Sequence, residues 1–88
     1  MAYQTSEQTL TEAWVDVADG ANSVAIQVDD MRPVAVIAGG VAPAADAKGV
    51  VLSANGTSTF AMADLGGDAV YVRALFAASK IIVVRGVE

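Results

Sequence analysis

Residues 23–29 read Ser-Val-Ala-Ile-Gln-Val-Asp. In an extended chain successive side chains point to opposite faces, so Val24, Ile26 and Val28 share one face while Ala25 and Gln27 share the other. This is a half-buried strand, and its surroundings extend the pattern in both directions. Upstream, residues 13–17 alternate Trp14 and Asp16 against Val15 and Val17. Between the two lies Asp19-Gly20, a pair that favours the positive φ angles of a tight hairpin turn. Downstream, Asp29-Asp30 and the Arg32-Pro33 junction mark the next turn, because proline biases the residue before it away from helix.

The remainder follows the same logic. Residues 33–38 form a third strand, apolar on both faces. Residues 39–49 (Gly-Gly-Val-Ala-Pro-Ala-Ala-Asp-Ala-Lys-Gly) are a loop by their glycines and proline. Residues 50–53 and 57–62 flank Asn55-Gly56, a type I′ turn pair that predicts a second hairpin. Residues 64–68 are another loop. Residues 69–75 alternate Val70, Val72 and Ala74 against Tyr71, Arg73 and Leu75, and a β-branched strand over 80–85 closes the chain. About seven strands at this spacing predict an all-β fold, a single small antiparallel β-sandwich or barrel. The N-terminal residues 1–10 have weak periodicity and are expected to be an arm. A short helix over 5–13, capped by Thr5 or Ser6, is the other option. The expected division is an arm over 1–10 and a β-sandwich domain over 11–88.

Composition narrows the function classes. The chain of 88 residues contains no Cys and no His. Disulfides, thiolate metal sites and the commonest general base are therefore all excluded. Hydrophobic residues make up 55% of the chain and charged residues 17%, below the usual quarter. A domain this small buries only about 60–65% of its unfolded surface, so some apolar surface is expected to face a partner. The net charge is −5, and the five basic residues Arg32, Lys48, Arg73, Lys80 and Arg85 are scattered. Nucleic-acid binding needs a basic footprint, and none is readable. The uncharged run over 33–45 is too short to span a bilayer, and the acidic N-terminus is unlike a secretory signal.

The candidate sites are few. Asp64 and Asp68, with Asp29-Asp30, are the carboxylate groupings. They could offer hard oxygen ligands to Ca²⁺, but turn aspartates ordinarily bond their own backbone. Ser23, Ser53, Ser58 and Ser79 have no histidine to activate them, and the paired glycines do not make a phosphate-binding loop. Neither an enzymatic activity nor a cofactor is expected. Trp14 reads as a core residue, with stacking on a sugar as the alternative. Tyr71 and Arg73 share one strand face and are candidates for partner contact. Tyr3 and Leu10 are the apolar anchors of the arm.

The segment order Ala-Trp-Val-Asp-Val, Asp-Gly-Ala-Asn-Ser-Val-Ala-Ile-Gln-Val, Arg-Pro-Val-Ala-Val-Ile-Ala, the loop Ala42-Pro43-Ala44-Ala45-Asp46 with Gly49 after it, then Val-Tyr-Val-Arg-Ala-Leu and Ile-Ile-Val-Val resembles small β-sandwich virion structural proteins of tailed bacteriophages. These are head-decoration, head-fibre or tail-accessory subunits. The resemblance covers roughly residues 11 to 86 and carries over no functional residue. It implies a non-enzymatic capsid decoration subunit, made in the bacterial host cytoplasm and located on the virion. Its partners would be a major capsid or tail protein and further copies of itself, with no nucleic acid and no membrane. The alternative is a tail- or fibre-associated module that binds a carbohydrate or host receptor.

Overall fold

The computed structural model describes all residues except 1, 30, 31, 45, 46, 54, 55, 57, 66, 67, 77 and 88. Eight strands appear in chain order: β1 (Ala2–Leu10), β2 (Val15–Asp16), β3 (Ser23–Val28), β4 (Val34–Gly39), β5 (Val50–Leu52), β6 (Thr59–Met62), β7 (Ala69–Ala74) and β8 (Ser79–Val87). They form two four-stranded sheets, ordered β1-β8-β3-β6 and β2-β7-β4-β5, with every pairing antiparallel. Except for β4 to β5, each connection crosses from one sheet to the other. This eight-stranded double-sheet arrangement is a jelly roll. The all-β sandwich expected from the strand spacing is therefore the observed architecture.

The two inner faces close on each other. Leu10, Val24, Ile26, Ile81 and Val83 of the first sheet meet Val34, Val36, Leu52, Val70 and Val72 of the second, each no more than 2% exposed. The period-2 reading of residues 23–29 put the inward face where it is: Val24, Ile26 and Val28 are buried, Ala25 and Gln27 exposed. The doubly apolar strand over 33–38 also has its reason. Val34 and Val36 point into the core, and Ala35 is buried on the opposite face. The accessible surface is 4914 Å², against about 4,800 Å² expected for a folded monomer of this mass. The fold is as tight as its size allows, so exposed apolar residues are not the product of loose packing.

Two expectations about connectivity need correction. Asp19 and Gly20 do adopt positive φ, 51° and 81°, so the turn chemistry is as read. The strands they join do not pair, however: β2 pairs with β7, and β3 with β6 and β8. The flanks are held by different sheets. Val17 N–H donates to Val70 O, while Asn22 N–H donates to Gly86 O, and the turn becomes a crossover. Similarly, β5 and β6 lie in different sheets, so no hairpin joins them. Asn55 itself lies outside the described residues.

The N-terminal segment is the third correction. No helix forms over 5–13. Residues Ala2–Leu10 form β1, which pairs with β8 at nine successive positions, from Ala2 opposite Val87 to Leu10 opposite Ser79. From Gln4 to Thr9 its residues are polar on both faces, which hides the strand period. What orders it is the backbone ladder, the burial of Leu10 and a donor from Arg85, whose Nη1 lies 3.1 Å from Ser6 Oγ.

Gly49 allows a close approach just before β5. A Cβ there would collide with the Val36 carbonyl oxygen and sit 2.7 Å from Ile37 Cγ1 and 2.9 Å from the Val36 carbonyl carbon. Backbone cannot swing aside as a side-chain tip can. Gly49→Ala is expected to cost about 1–3 kcal/mol, as overpacking does. Gly39→Ala, where nothing lies within 4 Å of the added Cβ, should cost much less. Urea unfolding of the two variants makes the comparison.

Candidate interaction surface

The register aligns the outward residues of the first sheet in rows. Tyr3, Gly86 and Ser23 form one row; Thr5, Val84, Ala25 and Ala61 form the next; Glu7, Ile82, Gln27 and Thr59 follow. The first two rows are mostly small, and they leave a shallow depression of about 340 Å³ bounded by Tyr3 of β1 on one side and Met62 of β6 on the other. Gly86 makes the floor possible. A Cβ on it would run into Ser23 Oγ and lie 3.1 Å from Tyr3 Cε1, so the tyrosine ring lies across the glycine. Tyr3 is nevertheless 67% exposed.

The outer face of the second sheet is partly roofed. Trp14, just before β2, donates its Nε1–H to Ala44 O at 2.9 Å and so holds the chain there. The Arg73 guanidinium carbon lies 5.7 Å from the Trp14 ring centre, within cation–π range. A second depression of about 300 Å³ lies beside this cluster, lined by Ala35, Ala47, Lys48, Val51, Arg73 and Leu75. Trp14 is therefore not a core residue as expected. It is a half-buried clamp, and Arg73 occupies one of its ring faces.

The other contact candidates separate. Tyr3 stands exposed at the sheet edge. Tyr71 and Arg73 are half-buried on the outside of β7, and the register places Tyr71 opposite Ile37 and Arg73 opposite Ala35. Leu10 is fully buried in the core. It is not a surface anchor, because the first sheet extends to include the segment that carries it. Three residues escaped the sequence reading. Phe76, between β7 and β8, is 71% exposed, and Val50 and Val51 of the edge strand β5 are both more than half exposed. The run of apolar residues in a predicted strand could have revealed β5 as an edge only if its pairing partners had been known.

The four sheet edges are β1, β6, β2 and β5. Along β1 the charged residue is Glu7, and β5 and β6 carry none. Natural edges are commonly blunted by charge, proline or short length to prevent pairing; β5 and β6 carry no charge or proline, whereas β1 has Glu7 and β2 is two residues long with Asp16. Among the described residues no three acidic side chains gather into a metal-binding group. Ser79 is buried and its hydroxyl donates to Arg32 O at 3.2 Å, a structural bond. The surface is thus equipped for contact.

The arrangement defines a jelly-roll domain with open edges. No family model matches the chain, and neither does any curated protein. The chain is similar to a solved structure described as "Bacillus endospore appendages form a novel family of disulfide-linked pili". The TM-score is 0.57 at 15% identity, over 99% of this chain and 87% of that one. At that identity the likeness is one of fold.

Proposed function

We propose that this protein is a non-enzymatic structural subunit that joins a larger protein assembly through apolar and edge-strand contacts. The observation that carries this reading is the exposed set Tyr3, Val41, Val50, Val51, Met62 and Phe76 on a domain whose core is otherwise closed. Patches of this kind mark interaction sites on small soluble domains. Strand directions support the edge contacts. Antiparallel pairing along β1-β8-β3-β6 makes β1 and β6 run in opposite senses, so β6 of one copy can pair antiparallel with β1 of another in the same orientation. The jelly roll serves viral capsid proteins, and the similar solved structure is described as a pilus. That protein is described as disulfide-linked; this chain has no Cys, so its joints are not disulfides, and weak contacts gain strength by repetition. Within this class, decoration of a virion lattice is the more specific reading, following the resemblance of the sequence.

Association is expected to survive roughly 0.5 M salt, where the Debye length is only a few Å. Exposed ion pairs are each worth under about 1 kcal/mol, and the one among the described residues, Lys80 to Glu7 at 3.9 Å, has both side chains 54% exposed. Light scattering on the purified chain across a salt series, with and without phage capsids, is the test. A strict monomer that pellets with no particle would refute the reading.

A further inference from the structure

Phe76 is an apolar knob on a braced turn. Leu75 N–H donates to Pro33 O at 3.3 Å, Arg32 Nη1 donates to Ala78 O at 3.0 Å, and the Ser79 hydroxyl donates to Arg32 O at 3.2 Å. The chain is held at Leu75 before the phenylalanine and at Ala78 and Ser79 after it. At the other end of β8 lies the depression around Gly86. From Ser79, three residues after Phe76, to Gly86 the chain runs seven positions along β8, about 23 Å at strand rise. The longest dimension of the molecule is 34 Å. Knob and depression therefore lie toward opposite ends of β8, and no copy can fill its own.

Their chemistry matches. The depression is walled by Tyr3, Val84 and Met62 and floored by Ala25, Ala61 and Gly86, mostly apolar with Ser23 as the polar side chain, and at about 340 Å³ it has room for a phenyl ring. Charge matches too. Arg32 is bonded into the Phe76 turn, and Asp64 follows Ala63, which lines the depression. Both charged residues are exposed. Seating the knob would bring a guanidinium toward a carboxylate.

Resting on the assembly reading above, we infer that the Phe76 turn of one copy seats in the Tyr3–Gly86 depression of the next, joining copies head to tail. The occupant of the depression is a second copy of this chain. An aromatic side chain buries about 150–250 Å², well short of the roughly 800 Å² per partner of a stable complex. A single such contact is therefore weak. A knob and a hole on different surfaces of one molecule make a heterologous contact, which repeats from copy to copy.

The test uses two variants of the full chain. Phe76→Ser removes the knob, and Ala61→Trp fills the depression from an exposed position. Circular dichroism and melting establish that both retain the wild-type fold. Sedimentation velocity is then run from about 10 µM to about 1 mM, a range suited to weak contacts. The wild type should grow beyond a dimer with concentration, and each variant alone should associate at least about tenfold more weakly, as loss of an anchor residue does. Mixed together, the variants should form a heterodimer and stop, because one intact depression meets one intact knob. Asp64→Asn keeps a residue tolerant of the positive φ of 56° found there and should weaken association up to about fivefold at low salt, the range of an exposed pair. Wild-type association that is unchanged in both single variants would overturn the knob and leave the assembly reading standing. A wild type that stops at a dimer would overturn the open head-to-tail arrangement. A wild type monomeric throughout, with no particle bound, would overturn both.

Discussion

Ile26→Asp is expected to abolish the folded state, and Gln27→Asp to leave it nearly intact. The two positions are adjacent in β3, but the strand turns them to opposite faces. Ile26 is 1% exposed, in a core cluster with no polar partner for a carboxylate. Burying an unpaired charge costs several kcal/mol even after the group adjusts its protonation, and the isoleucine's own packing is lost besides. The whole stability of an 88-residue domain is roughly 4–13 kcal/mol, so the substitution consumes most or all of it. Gln27 faces solvent between Ile82 and Thr59, where surface changes stay within about 0.5 kcal/mol. Circular dichroism with thermal melting distinguishes the pair. Equal melting temperatures would show that β3 presents its other face to the core.

Removing residues 1–10 should be nearly as severe. The segment supplies Leu10 to the core and a nine-position ladder to β8. Truncating a buried leucine alone costs about 2–5 kcal/mol. Deletion also turns β8 into an edge, with Ile81-Ile82-Val83-Val84 open to pairing along one side. An uncharged β-branched run of that kind favours aggregation. The truncated chain is expected to be insoluble or unfolded at 25 °C, whereas Leu10→Ala in the full chain should fold with reduced stability. Tyr3→Ala, at an exposed position, should melt close to the wild type. Urea titration and solubility measurements on the three variants separate these outcomes. If the truncated chain melted within a few degrees of the full one, β1 would be an accessory arm and the ladder would contribute little.

Contrasts between particular residues show how much was legible before the fold was known. Val24, Ile26 and Val28 were readable as an inward face because β3 is apolar on one side and polar on the other. Tyr3 was read as an apolar anchor of an arm; it stands exposed on a strand paired with β8. Leu10 was misassigned for a related reason: Gln4, Ser6 and Gln8 share its side of β1, and three polar residues ahead of one leucine give no apolar period. Trp14 was read as core on residue type alone. Its half-buried position depends on where the 40–49 loop returns, and that is set by the Gly49 approach to β4 and by the bond to Ala44. The depression beneath Tyr3 could not be read at all, since it is assembled from four strands that are distant in sequence.

The amino-acid sequence by itself determined that this protein is a small all-β domain without His or Cys, that β3 and β7 each have one buried side, and that Asp19-Gly20 makes a tight turn. These are local properties. Alternation, φ preference and composition act between near neighbours in the chain and hold in any β fold. Tertiary structure alone decided which strands pair, that the Asp19-Gly20 turn crosses between sheets, that residues 2–10 complete the first sheet, and that small residues of four strands meet around Gly86. Those outcomes depend on backbone ladders and on burial shared between segments as far apart as β1 and β8. Hydrogen bonds between main chains carry no side-chain signature, so the pairing of a polar strand such as β1 leaves no mark in its residues until its partner is in place.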